Sequence, residues 1–423
     1  MSKLRKYKFS ELYKMSSGIS SKPEQAGHGS PFASFKTIFN NYFLSDELPD
    51  LMDTSDKEQE TYSIKKGDIF LTRTSETIDE LGIGCVALKD YPKATYSGFV
   101  KRLRPLQDDV TYDKYMGFYL RSKFFRKTMT NNAVLTLRAS LNEEIYSYLN
   151  LLLPDFDSQK RIGDFLLLLN QKIELNNRIN AELEAMAKTL YDYWFVQFDF
   201  PDAEGKSYKS SGGEMVWSEE LKRDIPLGWR VGTLNDLGNI IGGSTPSKAI
   251  ESYFCLNGTP WITPKDLSNN TGNKFIAKGE LDVTEQGIKS ASLNIMPAGS
   301  VLLSSRAPIG YMAIARGEVT TNQGFKSFVP KSGFSTPFVY YTVKDFIPSI
   351  EAKSSGSTFK EVSASVLKSI ETFLPAESVV EDFTETVTPI FEKQNKIEQE
   401  NQQLSALRDW LLPMLMNGQV VVA

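Results

Sequence analysis

Two runs of heptad-spaced residues lie 221 positions apart, and they constrain the fold more than any other feature of this chain. The first is Ile162, Leu166, Leu169, Ile173, Asn176, Asn180, Leu183, Ala187, Leu190 and Trp194, in steps of four and three throughout. The second is Phe383, Val387, Ile390, Gln394, Ile397, Asn401, Leu404, Arg408, Leu411 and Leu415. Seams of this kind are what two helices bury against each other. Residues 160 to 196 alone would span about 55 Å as a helix, and a helix of that length must cover its stripe. Each run offers the other a partner. Polar residues interrupt both seams near the middle: Asn176 and Asn180, then Gln394 and Asn401. Such residues cost stability and fix register. Pro389 predicts a bend in the second helix, and Pro413 predicts its end near Leu412.

The segments ahead of the two runs also repeat. Gly29-Ser30-Pro31-Phe32, followed by Lys36, is echoed by Gly258-Thr259-Pro260-Trp261, followed by Lys265. Gly67-Asp68-Ile69-Phe70 leads to Arg73 as Gly299-Ser300-Val301-Leu302 leads to Arg306. Ser97-Gly98-Phe99-Val100-Lys101 is answered by Gln323-Gly324-Phe325-Lys326, and Leu153-Pro154 by Leu374-Pro375. A period near 220 is too long for a solenoid repeat. It fits a domain plus a long helix, used twice. Residues 69–71, 82–88, 300–303 and 310–315 read as strands, and 114–129 and 336–350 as helices. The expected class is α+β, with two similar domains, two long helices and an internal pseudo-twofold. The expected segments are a domain over 1–155, a helix over 156–197 and a connector over 198–228. A second domain over 229–376, a second helix over 377–417 and a tail over 418–423 complete them.

The chain has 423 residues, enough for two or three domains with real cores. Its two cysteines, Cys85 and Cys255, sit in different halves and suit a reducing compartment. The basic start, Met1-Ser2-Lys3-Leu4-Arg5-Lys6, has no apolar stretch behind it, so no secretory leader and a cytoplasmic location are expected. Residues 165–169 are the longest strongly apolar stretch near a helix, far short of a membrane span. A net charge of -4 argues against binding nucleic acid with the whole surface. Local basic groups remain: Lys101, Arg102 and Arg104, and Arg121, Lys123, Arg126 and Lys127.

The usual catalytic constellations are missing. His28 is the single histidine and sits in a Gly-His-Gly loop, which disfavours zinc chemistry and a serine–histidine triad. Gly242-Gly243-Ser244-Thr245 lacks the Gly-Lys-Ser/Thr ending of a phosphate loop. No Asn-Pro-Pro-Tyr or Asp-Pro-Pro-Tyr string exists to hold a target base for amino methylation. Asp202 with Glu204 and Lys206 caricatures a nuclease site, but the three crowd one connector instead of converging from adjacent strands.

In order along the chain, several motifs resemble one family. They include Gly242-Gly243-Ser244-Thr245-Pro246-Ser247 and Pro260-Trp261-Ile262-Thr263-Pro264-Lys265-Asp266-Leu267. They continue with Gly299-Ser300-Val301-Leu302-Leu303-Ser304-Ser305-Arg306-Ala307-Pro308 and Thr321-Asn322-Gln323-Gly324-Phe325-Lys326. Gly356-Ser357-Thr358-Phe359-Lys360 and Leu411-Leu412-Pro413-Met414 close the set, with Tyr191-Asp192-Tyr193-Trp194-Phe195 in the first half. Together they resemble the specificity subunit of type I restriction-modification enzymes, over essentially the whole chain. The resemblance implies two target-recognition domains, each reading half of an asymmetric DNA site. It implies an intrachain antiparallel coiled coil between them, two methyltransferase subunits held on it, and restriction-motor subunits in the full complex. No cofactor is expected on this chain, with AdoMet, Mg²⁺ and ATP on the partners. The competing reading is a coiled-coil scaffold that dimerises in parallel and has no DNA specificity.

On this resemblance, Arg73, Arg138, Arg306 and Lys360 are the expected phosphate-positioning cations, with Arg138 and Lys360 at matching places. Ser304, Ser305 and Thr358 are the expected hydroxyl donors. Asn322 and Gln323 suit adenine edges chemically but read better as residues that shape the fold. Base readers are expected in 247–257 and 268–292. Tyr191, Trp194, Arg408 and Trp410 are the candidates for methyltransferase docking, with Trp194 equally suited to the seam.

Overall fold

The computed structural model describes residues 4–20, 22–75, 80–132, 139–140, 143–306, 308–354 and 360–422. The chain divides into two compact units. One combines Met1–Glu174 with Gln402–Ala423, and the other is Leu175–Asn401. Each owns a stretch of both long helices.

In the first unit the chain enters through Arg5–Lys8 and leaves through Asn150–Leu153, paired antiparallel from Arg5↔Leu153 to Lys8↔Asn150. Between them lies a four-stranded sheet in the order Tyr13–Ser17, Val100–Pro105, Ile69–Thr72, Gly84–Val86. A three-stranded sheet has Ala26–Ala33 between Asp50–Met52 and Thr95–Tyr96. The strand expected over 82–88 is confined to Gly84–Val86. The single helix expected over 114–129 is two, Asp113–Tyr119 and Lys123–Asn132. Buried Ser122 makes the break: its hydroxyl donates to Tyr119 O at 2.6 Å and accepts from Phe125 N at 3.3 Å, ending one helix and capping the next.

The second unit repeats this plan. Arg230–Thr233 and Glu371–Leu374 form the paired entry and exit. The main sheet runs Gly238–Gly242, Lys326–Pro330, Val301–Ser305, Ile309–Ala315, Phe275–Ile276. The helix Thr336–Ala352 packs on it, started by Ser335, whose hydroxyl accepts from Phe338 N. Ahead of the unit's main sheet a small hairpin pairs Met215–Ser218 with Arg223–Pro226.

The likeness extends to single hydrogen bonds. Phe9 N donates to Leu149 O at 2.9 Å, and Leu234 N to Ile370 O at 2.9 Å. Ser97 N donates to Ala33 O, and Asn322 N to Ile262 O, both at 3.1 Å. Tyr13 faces Pro105 as Gly238 faces Pro330. This register fixes the correspondence of the two units residue by residue.

The first long helix is Phe156–Tyr191, continued by a π-helical turn over Asp192–Val196. The second is Glu377–Met416. It runs through both Pro389 and Pro413, correcting the expected end near Leu412. Both prolines and the residues four before them, Glu385 and Asp409, lie on the exposed face. The carbonyls left without a helical donor therefore face solvent. Pairing is antiparallel within the chain. In the second unit Asn176 Nδ2 donates to Asn401 Oδ1 at 2.9 Å, Gln394 Nε2 to Asn180 O at 3.3 Å, and the Trp194 ring lies tilted 5.6 Å from that of Phe383. In the first, Arg408 reaches Asn170 Oδ1 at 3.5 Å, and Ile162, Leu166 and Leu167 share a core with Leu412, Leu415 and Met416. As one helix ascends, its partner descends.

The buried stripe is not the strict heptad seam. Ile162, Leu166, Asn176, Asn180, Ala187, Trp194, Phe383, Val387, Gln394, Ile397, Asn401 and Leu415 are buried. Leu169, Ile173, Leu183, Leu190, Ile390, Leu404 and Leu411 are only half-buried. Phe391 and Glu398 are buried in their stead. In the second unit the domain covers an extra side of the helix, because Phe391 meets Phe275 and Tyr341 and Glu398 meets the loop at Lys274.

Candidate nucleic-acid interface

Several of the motifs quoted above meet through hydrogen bonds within the units. In the second, Ser244 N donates to Thr321 O at 3.0 Å, Trp261 Nε1 to Ser244 O at 3.1 Å, and Thr245 Oγ1 bonds Gln323 Oε1. A Cβ on Gly243 would collide with Asn322 O, and one on Gly18 with Ser97 O. Glycine is therefore required where these strands cross. Asn322 Oδ1 accepts from Gly324 N at 2.9 Å, so it shapes a turn. In the first unit Ser97 Oγ accepts from Phe99 N at 3.2 Å in the same slot.

Ser304 and Ser305 do not offer hydroxyls to a ligand, which corrects that expectation. Both are fully buried. Ser304 Oγ donates to Pro308 O and accepts from Tyr311 N, each at 2.8 Å. Thr72 does the same work in the first unit, donating to Glu80 O at 2.7 Å and accepting from Ile83 N at 2.9 Å. Thr72 is thus the counterpart of Ser304. Arg73 N bonds Phe99 O, and Ser305 N bonds Gly324 O, so Arg73 corresponds to Ser305 and not to Arg306. Arg306 bridges to Glu361 as Thr74 pairs with Ser140. The slot of Lys360 is then that of Ala139, one residue from the expected match at Arg138. Arg73 and Lys360 are exposed and Arg306 half-buried. Arg138 and Thr358 lie outside the described residues.

Much of the expected basic surface is structural. Arg104 forms a fork on the buried Asp68 carboxylate at 2.8 and 2.6 Å, and that contact raises its pKa. Arg102 is buried and donates to Ser63 O at 2.6 Å. Arg121 donates to the carbonyls of Ile38, Phe39, Asn41 and Gly84. Lys101 is different. It reaches Ser17 Oγ at 2.7 Å, and its pKa is held down by burial and by the nearby Arg73. Arg73 and Lys101 form a positive edge with the turn at Phe99 between them.

Sequence reasoning missed a buried charge network that ties the second domain to its helices. Lys274, with a side chain 4% exposed, pairs with Glu184 and donates to Gln394 Oε1 at 2.8 Å and Tyr341 OH at 3.0 Å. Its ammonium lies 3.8 Å from the Phe391 ring centre. Burial lowers its pKa to about 8 against the pull of Glu184. Burial also acts on Glu184, but Lys274 and Lys344 outweigh it and hold that carboxyl below its usual range. Glu398 accepts from the amides of Lys274 and Phe275 and pairs with Arg316 at 2.9 Å, while burial raises its pKa. Residues 268–292 are therefore not simply a base-reading loop.

Of the four docking candidates, only Trp410 presents a face, at 65% exposure. Tyr191 and Trp194 are buried in the second unit's core. Arg408 is held over Tyr42 at 5.4 Å. Among the described residues, no three His, Cys, Asp or Glu converge to hold a metal, and no helix is long and apolar enough to cross a membrane. Both cysteines are free, and burial pushes the Cys85 thiol up to about 12.

The family model described as "Type I restriction modification DNA specificity domain" matches residues 5–185 and 226–405. The chain belongs to this family. The two matched stretches are the two repeats, each a domain followed by part of a long helix. This specificity-domain chain is similar to the MjaIX specificity subunit of Methanocaldococcus jannaschii, 43% identical over 169 residues that span 38% of each chain. It is similar to the HindI specificity subunit of Haemophilus influenzae, 28% identical over 65% of this chain and 70% of that one. The solved S subunit of a type I system from M. genitalium shares its fold, with a TM-score of 0.62 over 98% of this chain and 96% of that one, at 14% identity.

Proposed function

We propose that this chain is the DNA-reading subunit of a type I restriction-modification complex. The observation that carries this is the repeat itself. The two units share the frame hydrogen bonds described above and differ in the residues they set at the same place. Arg73, Phe99 and Lys101 stand where Ser305, Gly324 and Lys326 stand in the other. A protein built this way presents two related but unequal surfaces, which suits an asymmetric site read in two blocks. Residues 1–155 and 229–376 are the reading domains, and 156–197 and 377–417 the spacer helices, with 198–228 a connector and 418–423 a tail. The chain leaves chemistry to its partners in the cytoplasm. Two methyltransferase subunits carry AdoMet and methylate adenine, and restriction subunits use ATP and Mg²⁺. A parallel dimerising scaffold loses its motive, because the seam it needs is occupied within the chain.

Methylation mapping in cells carrying the whole system tests this. It should return one motif, two short blocks around a fixed gap. Exchanging residues 229–376 for those of a relative should change one block only. Adding one heptad to both helices adds about 10.5 Å, or about three base pairs of gap. No bipartite motif, or a swap that changes both blocks, overturns the reading.

A further inference from the structure

We propose that Phe99 packs its ring on the bases of the half-site read by the first unit, between phosphates held by Arg73 and Lys101. This rests on the DNA-reading function above. The residue is 67% exposed, a large aromatic left in water. Its backbone is not a loose loop. Phe99 N bonds Ser97 Oγ at 3.2 Å, Phe99 O accepts from Arg73 N at 2.9 Å, Gly98 N reaches Ile19 O at 2.8 Å, and Val100 N reaches Ser97 O at 3.1 Å. Four hydrogen bonds thus fix a tight turn whose tip is apolar. A ring that could turn inward would be expected to do so, since burial favours it. This one is aimed outward by a rigid frame.

Its neighbours identify the partner. Arg73 is adjacent through the bond to Phe99 O, and Lys101 lies two residues on. Burial and then the nearby Arg73 depress the Lys101 pKa, with Glu143 pulling the other way. A polyanion with apolar faces set inside its charged rails matches that arrangement, and duplex DNA is one. Phenylalanine is among the side chains that wedge against base steps. The same slot of the second unit is Gly324, so only one half-site is read in this way.

The test uses the assembled methyltransferase and a duplex carrying the mapped bipartite sequence. F99A should weaken specific binding roughly 5- to 150-fold, the effect of removing a base-stacking aromatic. Its slope of log affinity against log salt should stay unchanged, because no phosphate contact is lost. R73Q and K101Q should each lower that slope by about one. F99L should recover part of the loss. Methylation by the F99A complex should relax in one block and keep the other. If wild type binds specifically while F99A binds equally well, or F99A changes the salt slope as the cation variants do, the proposal fails. If wild type itself shows no bipartite specificity, the DNA-reading function fails instead. Since the side chain is exposed, an unchanged unfolding curve for F99A serves as the folding control.

Discussion

Replacing Lys274 by methionine should make the second unit's stability lose a specific dependence on pH. In the native state Lys274 titrates at about 8, while an unfolded lysine titrates near 10.4. Between those values the unfolded chain binds more protons than the native one, so stability rises with pH. With these two values the wild type gains about 1.5 kcal/mol between pH 8 and 9.5. The window stops there because buried tyrosines such as Tyr341 and Tyr191, raised above their usual range, reverse the sign at higher pH. K274M has no such proton. Near pH 7.5 it should cost about 1–3 kcal/mol, since Gln394 Oε1 loses its donor while Glu184 keeps Lys344 at 2.7 Å. The gap to wild type should then widen by about 1.8 kcal/mol between pH 7.5 and 9.5. Four of the five tryptophans, Trp194, Trp217, Trp229 and Trp261, lie in the second unit. A Trp410→Phe background therefore lets denaturant unfolding followed by tryptophan fluorescence report on that unit. A gap that stays constant or narrows with pH would refute the reasoning.

Other outcomes follow from the same contacts. Asn176→Leu should cost about 1–3 kcal/mol by stranding Asn401 Oδ1, and adding Asn401→Leu should recover part of that loss in chemical denaturation; a double variant as weak as the sum of the singles contradicts this. Gly18→Ala and Gly243→Ala should each cost about 1–3 kcal/mol or more by overpacking, while Gly317→Ala, with open space around it, should stay within about 0.5 kcal/mol in the same assay. Tyr191→Ala should lose about 3–5 kcal/mol of stability. Trp410→Ala should leave the melting curve in place and weaken pull-down of the methyltransferase subunits; equal capture by that variant would remove Trp410 from the docking surface.

The long helices and the repeat were legible because both are periodic. Four-three spacing specifies a helix pair, and Gly-x-Pro-aromatic or Leu-Pro strings mark the same turns twice. The details of the site were not. Arg102 and Arg104 read as surface cations, yet strand alternation puts them on one face above Asp68, a carboxylate more than thirty residues earlier. Ser304 looked like a ligand donor because its use, to Pro308 O and Tyr311 N, depends on a bend no spacing announces. Lys274 meets Glu184 and Gln394 across 90 and 120 positions, and a lone lysine carries no pattern that points to either. Tyr191 and Trp194 are buried for a related reason. The rings that cover them, Phe338, Tyr341 and Phe383, lie far along the chain, where no local spacing announces them.

The second unit is a single stretch of chain, whereas the first is completed by residues from the far end. On the ribosome these two have different histories. Residues 175–401 emerge together, and their core holds every partner it needs once Asn401 is made. The N-terminal domain waits longer. Its helix carries Ile162, Leu166 and Leu167, whose cover is Leu412, Leu415 and Met416, made only after the whole second unit. The unit begun first is thus completed after the other, and an apolar stripe stays open while the second unit is made. A premature stop after Asn401 would spare the nearby C-terminal domain and injure the distant N-terminal one.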